Sequence, residues 1–171
     1  MTIKYVILIP YRNRKHQLDT FIEKTLPLFI KHLIDFKIVI IEQSNKNLFN
    51  RGILLNIGFN EYKDKGYIFF THDIDINPYE STIMTLYTKD IDDNSFNGIY
   101  TAHCGTLGGI ISFKKDVFIK CNGFPNNFWG WGVEDKALQN RAEFNNINIT
   151  KNILNRDANR FEYFDIKDDI N

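Results

Sequence analysis

The sequence has no excess of charge of either sign, because its 171 residues include 21 Lys plus Arg and 21 Asp plus Glu. Proteins that bind a nucleic-acid backbone usually carry clustered positive charge, so the equal numbers of positive and negative side chains argue against a nucleic-acid partner. Cysteine is scarce as well. Cys104 and Cys121 fit no metal-ligand spacing and cannot build a disulfide framework, although one disulfide between them is left open. The simpler interpretation of so little cysteine is a reducing compartment.

A long apolar run is also missing near the N-terminus. Residues 5–9 form an apolar run that is too short for a signal-peptide core or a membrane span, and Pro10 ends it. The sequence contains no repeat and no low-complexity segment. Its length is sufficient to bury a hydrophobic core without disulfides or a structural metal. We therefore expect one domain over residues 1–171, with no membrane anchor.

What the sequence does contain is an alternation of apolar segments that predicts an α/β fold. Strand, helix, strand, helix and strand follow one another in the first half of the chain, which indicates right-handed crossovers and a mostly parallel sheet flanked by helices. The predicted strands cover residues 4–9, 36–41, 67–70 and 108–113. The predicted helices cover residues 15–33 with a kink at Pro27, a segment capped by Asn50, and residues 133–144, while residues 90–97 are predicted to form a solvated loop.

Three polar segments, residues 10–14, 42–50 and 71–78, follow the first three strands. Ligands bind at the carboxyl ends of the strands in such sheets. In the third segment, Asp73 and Asp75 are two residues apart, so both carboxylates can face one side. Carboxylates suit a hard cation such as magnesium or manganese, which takes the rest of its shell from phosphates and water. A capped turn is the alternative interpretation of these paired acids.

The first polar segment carries two cationic side chains, Arg12 and Arg14, beside Pro10, Tyr11 and Asn13. Planar guanidinium groups match the geometry of a pyrophosphate, and the end of a strand is where such a ligand would lie. A solvated helix start is the alternative interpretation of this segment.

The most informative segment is residues 122–135. Its Gly and Pro residues predict a loop, and Trp129 and Trp131 present flat apolar faces that can lie against a sugar ring. Glu134 and Asp135 fall at a helix start, where the helix dipole favours ionised carboxylates. The alternative is a Trp-rich core loop before an ordinary helix. Placing both Trp residues beside adjacent acids is costly in a core and useful in a sugar site, which favours the sugar site.

Five segments, taken in order, resemble the catalytic domain of the beta-1,4-galactosyltransferase family (galactosyltransferase family 7). They are residues 10–14, Phe49-Asn50-Arg51 with residues 54–59, Asp73-Ile74-Asp75, Gly108-Gly109 and residues 122–135. The likeness extends from about Ile7 to Arg141, with a weaker echo at residues 159–161. It implies a GT-A type nucleotide-sugar-binding fold. It also implies an inverting, metal-dependent transferase that moves a hexose, galactose or N-acetylgalactosamine, from a UDP-sugar donor to a carbohydrate or glycan acceptor.

The resemblance implies a role for each candidate residue. Asp135 is expected to be the catalytic base, Glu134 to hold sugar hydroxyls, and Asp75 to bind Mn²⁺ or Mg²⁺. Trp131 is expected to contact donor and acceptor, and Trp129 the acceptor. The expected donor contacts are Pro10, Tyr11, Arg12, Arg14, Arg51, Asp73 and Gly109. Inverting transfer needs a carboxylate that takes the acceptor's proton and a cation that stabilises the departing diphosphate, and Asp135 and the Asp75 site can divide these tasks.

Three positions depart from the family pattern. Lys136 replaces a third acid after the acid pair, which leaves N-acetylglucosamine as acceptor in question. Thr106 replaces an aromatic residue before the paired glycines, which opens space around the donor sugar. The metal-binding His that the family carries after the Trp block is missing, since all four histidines precede it: His16, His32, His72 and His103. His103 is the candidate substitute, and metal binding is expected to be weak without nucleotide.

Two other functions are left open by the sequence. One is a related retaining transferase that shares the Trp-Gly-x-Glu region, and the other is a catalytically silent sugar-binding module. Retention of Asp73, Asp75 and Asp135 favours an enzyme, because a binding module would not need all three. Family members are commonly membrane-anchored in the secretory pathway. Because this chain starts almost directly at its first strand, without an anchor or stem, we expect a cytoplasmic location.

Overall fold

The computed structural model describes residues 3–44, 46–101, 106–130, 132–151 and 161–163. Its strands are β1 (Ile3–Tyr11), β2 (Phe36–Glu42), β3 (Gly66–His72), β4 (Ile76–Pro78), β5 (Ser95–Tyr100), β6 (Ile110–Lys114), β7 (Asn148–Lys151) and β8 (Phe161–Tyr163). Its α-helices are α1 (Lys15–Thr20), α2 (Leu26–His32), α3 (Arg51–Tyr62), α4 (Glu80–Thr82), α5 (Lys115–Lys120) and α6 (Glu134–Phe144), with π-helical turns at Phe21–Thr25 and Ile83–Tyr87. None of the helices within these ranges has the length and apolar character needed to cross a membrane.

The central sheet has six strands in the order β2-β1-β3-β6-β5-β7. The pairs β1–β2, β1–β3 and β5–β7 are parallel, whereas β6 runs antiparallel to both of its neighbours, β3 and β5. A small second sheet pairs β4 with β8. The predicted mostly parallel sheet is therefore confirmed, with one reversed strand that the sequence pattern did not indicate.

Strand β1 is buried on both faces, as the sequence predicts. Tyr5, Ile7 and Ile9 belong to the hydrophobic cluster on one side of the sheet, and Val6 and Leu8 belong to the cluster on the other. This division follows from the alternation of side chains along a strand. Burying each large aliphatic side chain contributes about 1.5 to 3 kcal/mol. The buried strand therefore fixes the position at which the following loop begins.

The predicted helix over residues 15–33 is present, but its irregularity differs from a simple proline kink. A π-helical turn, Phe21–Thr25, separates α1 from α2, and Pro27 lies in the first turn of α2. Proline has no N–H to donate and clashes with the carbonyl four residues earlier, so widening the preceding turn accommodates it.

The helix predicted after Asn50 is confirmed. It is α3, and the Asn50 side chain caps it by accepting a hydrogen bond of 2.9 Å from the Ile53 N–H.

The prediction of a solvated loop over residues 90–97 is wrong for its second half. Ser95 and Asn97 are buried within β5. Their polarity is compatible with a sheet interior because the Asn97 amide donates to the Ser112 hydroxyl on the neighbouring strand β6, at 3.3 Å. The strand predicted over residues 108–113 begins two residues later, at Ile110.

Candidate active site

The polar segments that follow the parallel strands leave the sheet at the same edge. Strands β1 and β3 pair in parallel with Leu8 opposite Thr71, so the loop after β1 and the turn after β3 lie side by side. Pro10 and Tyr11 are the last residues of β1. The structure therefore brings two of the predicted site segments together at the carboxyl edge, as the strand-end rule requires.

Arg51 lies at the centre of the predicted site and contacts three acids. Its Nε donates to Asp73 Oδ1 at 2.7 Å, and its Nη1 donates to Asp135 Oδ1 at 2.8 Å. The same Nη1 is 4.0 Å from Glu134 Oε1. The guanidinium also stands 5.5 Å from the ring centroid of Phe124. Residues that are 22 and 84 positions from Arg51 in the sequence thus form one charge cluster around a buried guanidinium.

Burial and charge set the proton affinities in this cluster. Burial lowers the pKa of Arg51, but the negative charges of Asp73, Asp135 and Glu134 more than offset it, so the pKa lies above its ordinary value. Burial raises the pKa of Asp135 to about 7, opposed by the charge of Arg51 and reinforced by those of Glu134 and Asp73. A carboxylate with this pKa exchanges its proton near neutral pH.

Helix starts position both the cation and the acids. Arg51 is the first residue of α3, and the Asn50 cap before it is itself held, because its N–H donates to Gln43 Oε1 and its side chain donates to the Asn126 carbonyl. Glu134 and Asp135 form the first turn of α6, as predicted. The N-terminus of a helix, with its partial positive charge, is a common position for acidic side chains.

The loop that enters α6 has left-handed backbone at three of its last residues. Gly130 and Gly132 have φ values of +94° and +96°, and Val133 has a φ of +77°. Glycine adopts this conformation freely, whereas a β-branched residue does so only under strain. Such strain concentrates at functional sites, where the surrounding structure enforces it.

The paired glycines contact the acids directly. Gly108 is buried against Asp135, and a Cβ atom at this position would overlap Asp135 Oδ2. Gly109 has a φ of +71°, and its carbonyl accepts a hydrogen bond of 3.2 Å from the Asp73 N–H. Gly109 was predicted to lie in the donor site, whereas the contact of Gly108 with the predicted base was not foreseen. The sequence feature that could have indicated this close contact was the pair of adjacent glycines.

We expect Gly108→Ala to lower, by about a hundred-fold, the rate of the sugar transfer that the family resemblance implies, because the added methyl group displaces the Asp135 carboxylate and a misplacement of about 1 Å has this effect. Steady-state kinetics of the folded variant measures it. In an Asp135→Ala background, which removes the overlapping atoms, the same change should have no further effect. Wild-type turnover in the single variant would contradict the proposed contact.

Asp75, the predicted metal ligand, is paired with Arg14, a predicted donor contact. Arg14 Nη1 lies 3.0 Å from Asp75 Oδ2, and the Asp75 side chain is 10% exposed. Burial raises the pKa of Asp75, the neighbouring charge of Asp73 raises it further, and the charge of Arg14 opposes both. This carboxylate therefore has a guanidinium partner.

Carboxylates are suitable ligands for a divalent cation, but the site contains few of them. Asp73 and Asp75 offer the hard oxygen ligands that manganese and magnesium accept. Within the described ranges, no group of three or more His, Cys, Asp or Glu side chains is arranged to hold a metal. His72 points into the core, where its Nδ1 lies 3.0 Å from the Asp73 carbonyl, and His103 lies outside the described residues. Any cation here would share its coordination with a diphosphate and water.

The remaining predicted site residues include one arginine and two tryptophans. Arg12 stands 5.4 Å from the ring centroid of Phe49 and donates to the Asn47 carbonyl, so it contacts the loop after β2. Trp129 is 44% exposed. Trp131 lies outside the described residues, so its predicted contacts with donor and acceptor stay predictions.

The loop before α6 is held by hydrogen bonds from Asn56 that were not predicted from the sequence. The Asn56 side chain on α3 donates to the Phe124 carbonyl and to Asn126 Oδ1, both at 2.8 Å, and it accepts from the Phe124 N–H at 3.0 Å. These bonds fix the loop that leads to the Trp residues. The sequence signal was an asparagine directly after two leucines in a predicted helix, because a polar side chain on an apolar helix face usually has hydrogen-bond partners within the protein.

The fold is that of the GT-A class of glycosyltransferases. A crystal structure of a mutant Drosophila beta-1,4-galactosyltransferase 7, in complex with manganese, UDP-Gal and xylobiose, matches it with a TM-score of 0.81 and 23% sequence identity. The match covers 95% of this chain and 71% of that chain. The predicted fold class is confirmed.

The sequence places the protein within one family of this class. Residues 1–88 match the model of the N-terminal region of glycosyl transferase group 7, and residues 93–164 match the model of the N-terminal domain of galactosyltransferase. The chain belongs to glycosyl transferase group 7, which confirms the resemblance found in the sequence.

Individual relatives agree with this family assignment. Bovine beta-1,4-galactosyltransferase 1 is 32% identical over 157 residues, which cover 86% of this chain and 38% of that protein. A beta-N-acetyl-D-glucosaminide beta-1,4-N-acetylglucosaminyl-transferase of Lymnaea stagnalis is 34% identical over 149 residues, which cover 81% of this chain and 30% of that protein. The chain spans less than half the length of these relatives.

Proposed function

We propose that this protein transfers a hexose from a UDP-sugar to a carbohydrate acceptor with inversion, and that Asp135 is the catalytic base. The observation that carries this proposal is the link from Asp73 through Arg51 to Asp135, at 2.7 and 2.8 Å. It holds a half-buried carboxylate next to the acids at the carboxyl edge of the sheet, where the donor of a GT-A enzyme is expected.

The chemistry needs one carboxylate and one means of stabilising the leaving group. The acceptor hydroxyl oxygen forms a bond to the anomeric carbon while its proton passes to the Asp135 carboxylate. The bond between the anomeric carbon and the diphosphate oxygen breaks, and the electron pair leaves with the UDP. A pKa of about 7 suits Asp135 to this task, because a base works best when its pKa lies near the working pH.

The remaining side chains bind and orient the substrates. We assign Arg14, beside Asp75, to the diphosphate, and Glu134, buried beside Arg51, to the sugar hydroxyls, from which it would accept hydrogen bonds. Asp75, together with Asp73, would hold a divalent cation that neutralises charge on the departing diphosphate. The complex of the Drosophila enzyme with manganese and UDP-Gal supports this use of a cation.

Galactose is the donor sugar that most of the relatives' names support. The Lymnaea stagnalis relative is named as an N-acetylglucosaminyl-transferase, so the family is not confined to galactose. Donor choice in this chain therefore depends on its own residues. Thr106 is two residues before Gly108, which packs on Asp135, and the Gly108 N–H donates to the Thr106 carbonyl at 2.8 Å. This contact supports our assignment of Thr106 to the surroundings of the donor sugar.

We expect wild-type protein to use UDP-N-acetylgalactosamine at least as well as UDP-galactose, because Thr106 leaves room for the acetamido group. Thr106→Tyr should shift the ratio of kcat/KM values toward galactose by a factor equivalent to about 1 to 3 kcal/mol. Competition between the two donors measures the ratio, and Thr106→Ser is the matched control. A strong galactose preference that Thr106→Tyr does not change would refute the assignment.

The proposed activity is tested by screening a panel of UDP-sugars for hydrolysis in the presence of manganese. We expect hydrolysis of a UDP-hexose, with loss of the activity when EDTA removes the metal. Sugar binding without hydrolysis or transfer of any donor would favour the silent binding module. The cytoplasmic location stays a prediction.

A further inference from the structure

His72 is a buried polar residue to which the proposed function assigns no role. It is the last residue of β3 and directly precedes the acid turn, residues 73–75, which leads to β4. Its side chain is fully buried. Burying an imidazole away from water costs free energy unless its ring nitrogens find hydrogen-bond partners. The two ring nitrogens of His72 differ in this respect.

The Nδ1 atom of His72 is bonded to the backbone of the acid turn. It lies 3.0 Å from the Asp73 carbonyl oxygen. A carbonyl oxygen only accepts hydrogen bonds, so Nδ1 carries a proton and donates. Burial lowers the pKa of His72 to about 4, so the ring is neutral near pH 7 and carries one proton. The neutral ring is therefore held as the Nδ1–H tautomer.

The surroundings of the ring are aromatic. Its centroid lies 5.5 Å from that of Phe21, 6.1 Å from that of Phe29 and 6.1 Å from that of Tyr87, and these three side chains form an aromatic cage. Within the part of the chain that the structure describes, the His72 Nε2 atom has no hydrogen-bond partner. A leucine would fill this cage without burying an unpartnered nitrogen. The hydrogen bond from Nδ1 to the acid turn is the feature that distinguishes His72 from an apolar core residue.

The aromatic cage holds the imidazole in a fixed orientation. Tyr87 stacks on Phe70 of β3, with ring centroids 5.0 Å apart and an angle of 8° between the planes. Phe29 packs against Phe21 and Tyr87, with centroid distances of 5.9 and 5.2 Å. Side chains in a core packed this closely have little freedom to move. The hydrogen bond from His72 therefore attaches the acid turn to a rigid part of the core.

The Asp73 backbone makes two other hydrogen bonds. Its carbonyl also accepts from the Ile76 N–H at 3.2 Å, and its N–H donates to the Gly109 carbonyl at 3.2 Å. Both are longer than the bond from His72. Without the bond from His72, these two longer bonds hold the Asp73 backbone, so the turn can shift together with its two carboxylates.

We propose that His72 is a positioning residue, whose Nδ1–H fixes the acid turn so that the Asp73 and Asp75 carboxylates are oriented to bind the donor and its cation. His72 itself contacts neither substrate nor cation and takes no part in proton transfer. This inference rests on the proposed function, because it takes Asp73 and Asp75 as the residues that bind the donor and the cation.

The first variant removes the hydrogen bond and keeps the packing. His72→Leu places an apolar side chain of similar volume in the cage, without a donor for the Asp73 carbonyl. Its thermal unfolding midpoint should equal or exceed that of wild type, because the unpartnered Nε2 is gone. Its affinity for UDP at a fixed Mn²⁺ concentration, measured by calorimetry, should fall about 10- to 100-fold, the usual effect of losing a residue that orients a metal ligand. A merely structural residue would not lower affinity while stability is kept.

The second variant does the reverse. His72→Asn carries an amide N–H close to the position of Nδ1, but it leaves part of the aromatic cage empty. Its unfolding midpoint should be lower than that of wild type, while its affinity for UDP should stay close to the wild-type value. Tyr87→Phe is the matched control, because it removes an unpartnered buried hydroxyl from the same cage and leaves the bond to the acid turn intact. It should not change the affinity for UDP.

Nitrogen NMR of the wild-type imidazole gives a readout that requires no variant to fold. The His72 ring should show a protonated Nδ1 and an unprotonated Nε2 at pH 7. An Nε2–H tautomer would overturn the inference, because Nδ1 could then not donate to the Asp73 carbonyl.

The outcomes separate this inference from the proposed function. Wild-type affinity for UDP in His72→Leu overturns the positioning role alone, as does an equally large loss of affinity in folded His72→Asn. If His72→Asn does not fold, the affinity of His72→Leu and the tautomer of the wild-type ring decide. Absence of UDP binding to wild type in the presence of Mn²⁺ contradicts the proposed function as well.

Discussion

Asp135→Asn should leave donor binding near normal and lower sugar transfer by about two to four orders of magnitude, the usual range for a lost general base. Asparagine has almost the same shape and keeps an oxygen for Arg51, but it cannot accept the proton of the acceptor hydroxyl. Calorimetry with UDP measures donor binding, and initial rates with saturating donor and acceptor measure transfer. Binding and turnover should therefore separate in this variant.

The pH profile gives the Asp135 prediction a second readout. Because the pKa of Asp135 is raised to about 7, wild-type kcat/KM should rise as the pH increases through this value and the carboxylate ionises. The rise should disappear in Asp135→Asn. Asp116→Asn is the matched control, since Asp116 also lies in the first turn of a helix, α5, but is exposed. Wild-type turnover in Asp135→Asn would place the base elsewhere.

Arg51→Met should lower the free energy of unfolding by about 3 to 5 kcal/mol at pH 8, the usual effect of removing one partner from a buried charge cluster. Methionine preserves much of the side-chain length, but it leaves Asp73 and Asp135 without a shared cation. Urea unfolding, followed by circular dichroism, measures the change. Arg51→Lys keeps the positive charge but cannot contact both acids in the same way, so its free energy of unfolding should fall by less.

The loss in Arg51→Met should depend on pH in a defined direction. Arg51 lowers the pKa of Asp135, so its removal raises this pKa further above the unfolded value of about 3.9. The folded state then binds more protons than the unfolded state from about pH 4 to beyond pH 7, and the free energy of unfolding falls as the pH rises. The loss should accordingly be smaller at pH 5 than at pH 8. An equal loss at both values would show that lost packing, including the contact with Phe124, outweighs the charge effect.

Local patterns in the sequence were sufficient to predict the elements that carry the site. The buried run of β1, the Asn50 cap and the acids at the start of α6 all depend on residues close together in the chain, and all are present. The polar half of β5 was missed for a related reason. Ser95 and Asn97 look like loop residues by local composition, and the side chain that Asn97 bonds to, Ser112, lies on another strand.

The charge pairing within the site could not be read from the sequence. Arg51 and Arg14 were both predicted to contact the donor, and in the structure each is also paired with acids. Which arginine contacts which acid depends on how tertiary packing brings together segments that are 61 and 84 residues apart in the chain. No local sequence pattern encodes contacts over such separations.

The most direct test of the account is the anomeric configuration of the product that wild-type protein makes from an α-linked UDP-hexose. Proton NMR of the product formed with a panel of mono- and disaccharide acceptors determines it from the coupling at the anomeric proton. One-step inversion with Asp135 as base predicts a β-linked product, and Asp135→Asn should form it far more slowly. An α-linked product would show a retaining transferase and contradict the proposed mechanism, and the absence of any product would contradict the proposed enzyme.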